Sequence, residues 1–193
     1  MKRAKSKLLV VAAVALCCAL AMGGTLAYYT AETTAHNVIT TGDVDIEIRE
    51  DFSPEEAKGL TPGTSVDKIV TIANTSSAPS GSAWVRVKVT TDVSRLGDEM
   101  PDTIPVDGVE QDVALIEFDD TKWIAKDGYF YYRTELPVGE STGPLFEAVR
   151  LNPLLGNDYQ ESEIHVKVQA QAVQSQNNPA PDGDVTRITN WPK

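Results

Sequence analysis

The sequence predicts an all-β fold, an antiparallel β-sandwich of about eight strands behind a cleavable signal helix. Three observations predict it. Short apolar stretches alternate with a period of two, as in Asp43 to Ile48 and Glu163 to Val173. Gly, Pro, Asn and Asp punctuate these stretches roughly every 10 to 15 residues, the spacing of turns between short strands. Beyond the leader there is no helical stripe and no internal repeat.

The leader, residues 1–27, has the layout of a secretory signal peptide. Lys2, Arg3, Lys5 and Lys7 precede an apolar run from Leu8 to Met22, and small residues follow. The run falls short of the roughly 20 residues that span a bilayer; left uncut, Leu8 to Tyr29 would still anchor the chain. Gly23 and Gly24 end the helix, because glycine is costly inside one. Thr25-Leu26-Ala27 is then extended, with small side chains at its first and third positions, so cleavage is expected between Ala27 and Tyr28. Residues 28–41 form an N-terminal arm. From Tyr28 to His36 it is rich in Thr and Ala, carries one charge, Glu32, and buries little of itself.

The sandwich is expected over residues 42–174. Its first strand puts Val44, Ile46 and Ile48 on one face and Asp43, Asp45 and Glu47 on the other. Arg49 to Gly63 reads as a connection, in which Ser53-Pro54-Glu55-Glu56 starts one short helical turn. Val66 to Ala73 is the second strand, and Asn74 to Ser82 is a loop. Ala83 to Thr91 alternates Val85, Val87 and Val89 against Trp84, Arg86, Lys88 and Thr90. Val93 to Gln111, acidic and holding Pro101 and Pro105, reads as irregular. Val113 to Phe118 is a short strand. Trp123-Ile124 and Tyr129 to Glu135 form a hairpin across Asp127-Gly128, which supplies the positive φ values of a tight turn. Pro137 to Gly143 turns the chain into Leu145 to Leu151, and Glu163 to Val173 closes the sandwich. Residues 175–193 are polar and read as a loose tail.

The totals exclude some functions. A chain of 193 residues makes one domain, with a formal charge of −11. Four of its 17 basic residues lie in the leader, leaving 13 against 28 acidic residues and a net −15 on the remainder. Such a surface repels phosphates, which excludes nucleic acid and anionic membranes as partners. The only cysteines, Cys17 and Cys18, lie in the leader, so the rest has neither a disulfide framework nor a thiolate metal site. Lipidation is not expected, because Leu16 stands where a small residue should precede Cys17, and none precedes Cys18.

The run Gly23-Gly24-Thr25-Leu26-Ala27-Tyr28-Tyr29-Thr30, then Asn37, then Thr41-Gly42-Asp43-Val44-Asp45-Ile46, resembles the start of the TasA/camelysin family of Gram-positive bacteria. Trp84 to Val89, Trp123, Asp127 to Tyr132, Leu136, Gly139 to Thr142, Leu145-Phe146 and Ala170 to Gln174 follow in the order expected of relatives. Tyr29-Thr30-Ala31 departs mildly from the Phe-Thr-Asp or Phe-Asn-Asp of many members. The resemblance implies a jelly-roll sandwich and cleavage by a dedicated SipW-type signal peptidase. It also implies a secreted subunit of extracellular matrix or biofilm fibres that polymerises with itself by donating its N-terminal strand, with a minor accessory fibre protein as a further partner. The donor is then Tyr28 to about Ile39, anchored by Tyr28, Tyr29, Val38 and Ile39. An extended segment added to a neighbour's exposed edge makes a head-to-tail contact that does not close, which yields filaments.

Camelysin relatives are described as metalloendopeptidases, yet this sequence is poor in the means. Zinc hydrolysis needs about three ligands and a general base. Only His36 and His165 supply imidazoles, and neither lies in an H-E-x-x-H helix. There is no G-x-S-x-G elbow. Asp43 and Asp45 share a strand face and are weak candidates for Ca²⁺, without EF-hand spacing. Trp123 and Tyr129 to Tyr132 suggest a sugar platform, but alternation splits Tyr129 and Tyr131 from Phe130 and Tyr132. The sequence thus favours a structural subunit with no catalytic residue and no cofactor. A monomeric cell-surface adhesion or binding module and a camelysin-like metalloendopeptidase stand as alternatives.

Overall fold

The computed structural model describes residues 30–32, 36–41, 44–77 and 81–192. The leader, Ala27, Tyr28, Tyr29 and Asp43 lie outside them. The described residues form strands β1 (Thr30–Glu32), β2 (His36–Thr41), β3 (Ile46–Phe52), β4 (Ser65–Asn74), β5 (Ala83–Arg95), β6 (Asp98–Met100) and β7 (Thr103–Val106). They continue with β8 (Val109–Asp112), β9 (Ala114–Phe118), β10 (Trp123–Lys126), β11 (Tyr129–Tyr132), β12 (Phe146–Leu151) and β13 (Glu163–Gln174). Three single 3-10 turns, at Asn157–Tyr159, Pro181–Gly183 and Val185–Arg187, complete the elements.

Two sheets face each other. In one the order is β1-β13-β5-β11-β10, with β2 also on β13 and β6 also on β5; in the other it is β3-β4-β12-β9. The spine of the first is the antiparallel pair β5–β13, matched from Glu163 with Ser94 to Gln174 with Ala83. Alternation explains the layering. Val85, Val87, Ile164, Val166, Val168, Ala170 and Ala172 point inward and are buried, against Val66, Val70, Ile72, Phe146, Val149 and Leu151 of the other sheet. Val44, Ile46 and Ile48 are buried, while Asp45 and Glu47 are exposed.

Aromatic rings close one side of the sandwich. Phe118 of β9 stacks on Phe130 of β11 at 3.9 Å and meets Phe146 of β12 edge-on at 5.8 Å. The buried Trp123 donates Nε1–H to the Pro144 carbonyl at 3.0 Å, so its one polar atom is satisfied. As alternation predicts, Phe130 and Tyr132 pack on the main core, whereas Tyr129 and Tyr131 belong to a second cluster on the outer face.

Three sequence expectations differ from the structure. β3 begins at Ile46 and runs on to Phe52, into the stretch read as a connection, because Glu50 and Phe52 keep the inward alternation. Residues 53–57 form turns rather than a helical element, with Glu56 N–H on the Ser53 carbonyl at 3.1 Å. Val93 to Gln111 is not irregular. It holds the end of β5, β6, and the hairpin β7–β8, turned at Leu96-Gly97 and Asp107-Gly108, where all four residues have positive φ. Asp-Gly is the same turn signal read correctly at Asp127-Gly128.

The polar tail also packs. Residues 175–191 fold across the outer face of the first sheet. Val185 and Ile188 are buried with Tyr131 and Val173, and Trp84, Ile124, Tyr129 and Trp191 pack around them. The Arg86 guanidinium lies 4.0 Å from the Tyr129 ring centre and 4.6 Å from that of Trp191, and donates Nε–H to Gln171 at 2.7 Å. Trp84 Nε1–H reaches the Asn178 carbonyl at 2.9 Å. A delocalised cation between aromatic faces gives a polar segment an anchor that its composition hides.

Candidate assembly interface

The residues read as a free arm lie along one edge of the first sheet. β1 pairs in parallel with the start of β13, Thr30 opposite Glu163 and Glu32 opposite His165. β2 pairs in parallel with its second half, from His36 opposite Val168 to Thr41 opposite Val173. The two registers differ by one residue. β-branched Val38, Ile39 and Thr40 suit the extended backbone here. Val38 stands opposite Ala170 and Ile39 opposite Gln171; Val38 is 39% exposed and Ile39 is half-buried. Of the four expected arm anchors these two are described, and both sit on this edge.

Parallel pairing has a topological meaning. Adjacent parallel strands cannot be joined by a tight hairpin. The arm and β13 lie at opposite ends of the chain, so the arm is held at that edge only by its ladder to β13 and by packing.

Other strand edges are open. β11 meets β5 at Arg86 and Val87, and β6 meets it from Val93 onward. Between these, among the described residues, Lys88 to Asp92 have a strand partner on the β13 side only. β9 likewise pairs with β12 alone. A cleft of about 400 Å³ lies between the two open edges, walled by Val89, Ala114, Ile116, Phe118 and Phe130.

The expected metal ligands do not converge. Asp45 is exposed; its backbone N–H donates to Ser76 Oγ at 2.9 Å and its carbonyl accepts from Thr75 N–H at 2.9 Å, which fixes the strand start rather than a cation. His165 lies on the solvent face of β13 with Nε2 3.9 Å from a Glu163 carboxylate oxygen, and the nearby Asp92 is paired with Lys167. His36 is in register with Val168, three residues further along the strand from His165. Among the described residues no three His, Cys, Asp or Glu side chains come together as a ligand set. Two carboxyls are held below their ordinary range, Asp119 chiefly by the Thr121 hydroxyl and Asp184 chiefly by the Thr186 hydroxyl; both tie turns. Among the described residues no helix is long and apolar enough to cross a membrane.

The family described as "Camelysin metallo-endopeptidase" matches residues 3–105, just over half of the chain. The chain belongs to the TasA/camelysin family. The match covers the leader, the arm and strands β3 to β6, with the first residues of β7. No curated protein and no solved structure matches the chain. The family description names a metallo-endopeptidase, but the donors described above offer a metal at most an imidazole and a neighbouring carboxylate, with a lysine beside them. They do not fit a zinc site.

Proposed function

We propose that this protein is a secreted structural subunit of extracellular matrix or biofilm fibres, assembling head to tail by exchange of its N-terminal arm after a SipW-type peptidase removes the leader. One observation carries the reading: the arm lies on the β13 edge and pairs with it in parallel. A neighbour's arm offers β13 the same ladder, so exchange conserves the bonds it breaks, and the open-ended contact propagates as a filament. The leader keeps Tyr28 tethered until export, which restricts assembly to the outside of the cell.

The test compares the chain from Tyr28 to Lys193 with one from Gly42 to Lys193 by size-exclusion chromatography and electron microscopy. Filaments from the first and monomers from the second are expected. A second arm uses Val38→Cys with Ala170→Cys, a register pair in a chain whose only other cysteines are in the leader. Oxidation of assembled material should give a ladder of cross-linked subunits on a non-reducing gel. Monomers cross-linked within themselves, together with no filaments from the longer form, would sink arm exchange and leave a monomeric binding module. The family description favours a second reading, a metal-dependent endopeptidase. Peptide hydrolysis abolished by a chelator and restored by Zn²⁺ would establish it.

A further inference from the structure

One end of the sandwich is unlike the rest of the surface. It is formed by the β5–β6 tip, the β7–β8 hairpin and the segment from Asn152 to Ser162. These are tied together by Arg95 Nη1–H on the Asp158 carbonyl at 2.8 Å and by the Tyr159 hydroxyl on the Pro101 carbonyl at 3.1 Å. Three large apolar side chains stand out in solvent here: Leu96 at 90% exposure, Val109 at 63% and Leu154 at 57%. A cleft of about 570 Å³ opens beside Leu154, walled by Met100, Ile104, Leu154 and Tyr159. Isolated exposed apolar residues such as Leu96 need no explanation, but an exposed Leu154 on the wall of an apolar cleft is the kind of feature that marks a contact site.

The rim of the cleft selects the partner. Glu110 and Asp158 line it and, among the described residues, no lysine or arginine does, although the Arg95 guanidinium stands on the Asp158 carbonyl at the rim. The Tyr159 phenol inside is pushed above its usual range, first by burial and then by the negative charges of Asp102, Asp158 and Glu110. The charged side chains that line the cleft are therefore acidic. A second copy of the chain, net −15 without its leader, brings the wrong sign, and the arm, with Glu32 as its one charged side chain, brings a cation only at the α-amino group that cleavage frees on Tyr28. Phosphates and anionic polymers are repelled for the same reason.

We propose that this end binds a cationic segment of another protein, seating an apolar side chain in the cleft between Ile104, Leu154 and Tyr159 while flanking lysines or arginines meet Glu110, Asp158 and Asp102. Burial of the anchor supplies affinity, and the carboxylate rim supplies register and discrimination. The site lies at the opposite end of β13 from the C-terminal tail and does not depend on arm exchange.

The test uses fluorescence anisotropy of the full chain with a labelled KKLFKK peptide in low salt, against KKGGKK and EELFEE. Saturable binding of KKLFKK, at least about tenfold tighter than either control, is expected. Glu110→Gln with Asp158→Asn should weaken it about tenfold or more, as should Leu154→Ala. Glu117→Gln with Glu147→Gln, an equal loss of exposed charge elsewhere, should leave it unchanged. Absence of KKLFKK binding overturns the proposal. Equal binding of KKGGKK, or equal loss in the Glu117 and Glu147 variant, overturns it in favour of general attraction to an acidic surface. Self-association abolished by Leu154→Asp, with no peptide binding, overturns it in favour of a second copy.

Discussion

Lys68 gives the sharpest prediction about stability. It lies on β4 opposite Phe52 and points into the sandwich, where its side chain is 3% exposed. Its ammonium sits 2.7 Å from a carboxylate oxygen of Glu50, whose side chain is 9% exposed, and 4.5 Å from the centre of the Phe52 ring. At that distance and an effective dielectric near 20, the gross attraction is about 6 kcal/mol. Removing two ions from water costs several kcal/mol each, so the pair contributes little net stability, yet losing one partner is severe. Lys68→Met should lower unfolding free energy by about 3–5 kcal/mol in urea denaturation at neutral pH. Lys68→Met with Glu50→Leu should recover part of that loss, because no carboxylate is then left facing the missing ammonium. A Lys68→Met cost below about 1 kcal/mol, or a double variant no better than the single, would refute the account of a buried, mutually dependent pair.

Other predictions follow the same logic. Trp191→Ala removes one aromatic face from Arg86 and uncovers Tyr131, and should cost about 1–3 kcal/mol in denaturant while raising dye binding to the exposed face. Gly128 has φ +77° and a Cβ there would meet nothing within 4 Å, so Gly128→Ala should cost about 1–2 kcal/mol through backbone strain alone. Asp119 and Asp184 are held below the ordinary aspartate range, each chiefly through a threonine hydroxyl, so what they contribute is present at neutral pH and is lost as pH falls through their depressed folded values. Thr121→Val and Thr186→Val should each move the matching carboxyl upward in an NMR titration; an unmoved midpoint would assign the depression to the turn backbone instead.

Alternation made the sandwich legible. Ala83 to Thr91 and Glu163 to Val173 are the spine, and each is written as an inward–outward pattern that burial follows except at Gln171 and Val173, which are buried on the outer face. The hairpins between Val93 and Gln111 were harder to see because their strands are three or four residues long, shorter than a period-two pattern needs, and because Pro101 and Pro105 look like breakers. Pro105 is tolerated since β7 is an edge strand of a two-stranded ribbon. The tail was misread for another reason. Its anchors are Val185, Ile188 and Trp191, spaced without period among polar residues, and their partner Arg86 is a hundred residues away in sequence. Val38 and Ile39 were legible as an apolar pair, but the edge that they occupy follows from tertiary topology. The acidic-rimmed cleft collects residues from three separate loops, and Asp107-Gly108 was its one local signal.

The parallel ladder between β2 and β13 has a mechanical consequence. Tension along the strand axis, applied where the arm enters at Thr30 and resisted by the sandwich, loads the paired residues from His36 to Thr41 side by side. The bonds then fail together in shear. A pull across the strand axis would instead peel the ladder open one rung at a time. A joint of six short rungs can thus be weak toward thermal exchange and still resist axial pull, a combination that suits a link required to form without a catalyst and then bear load.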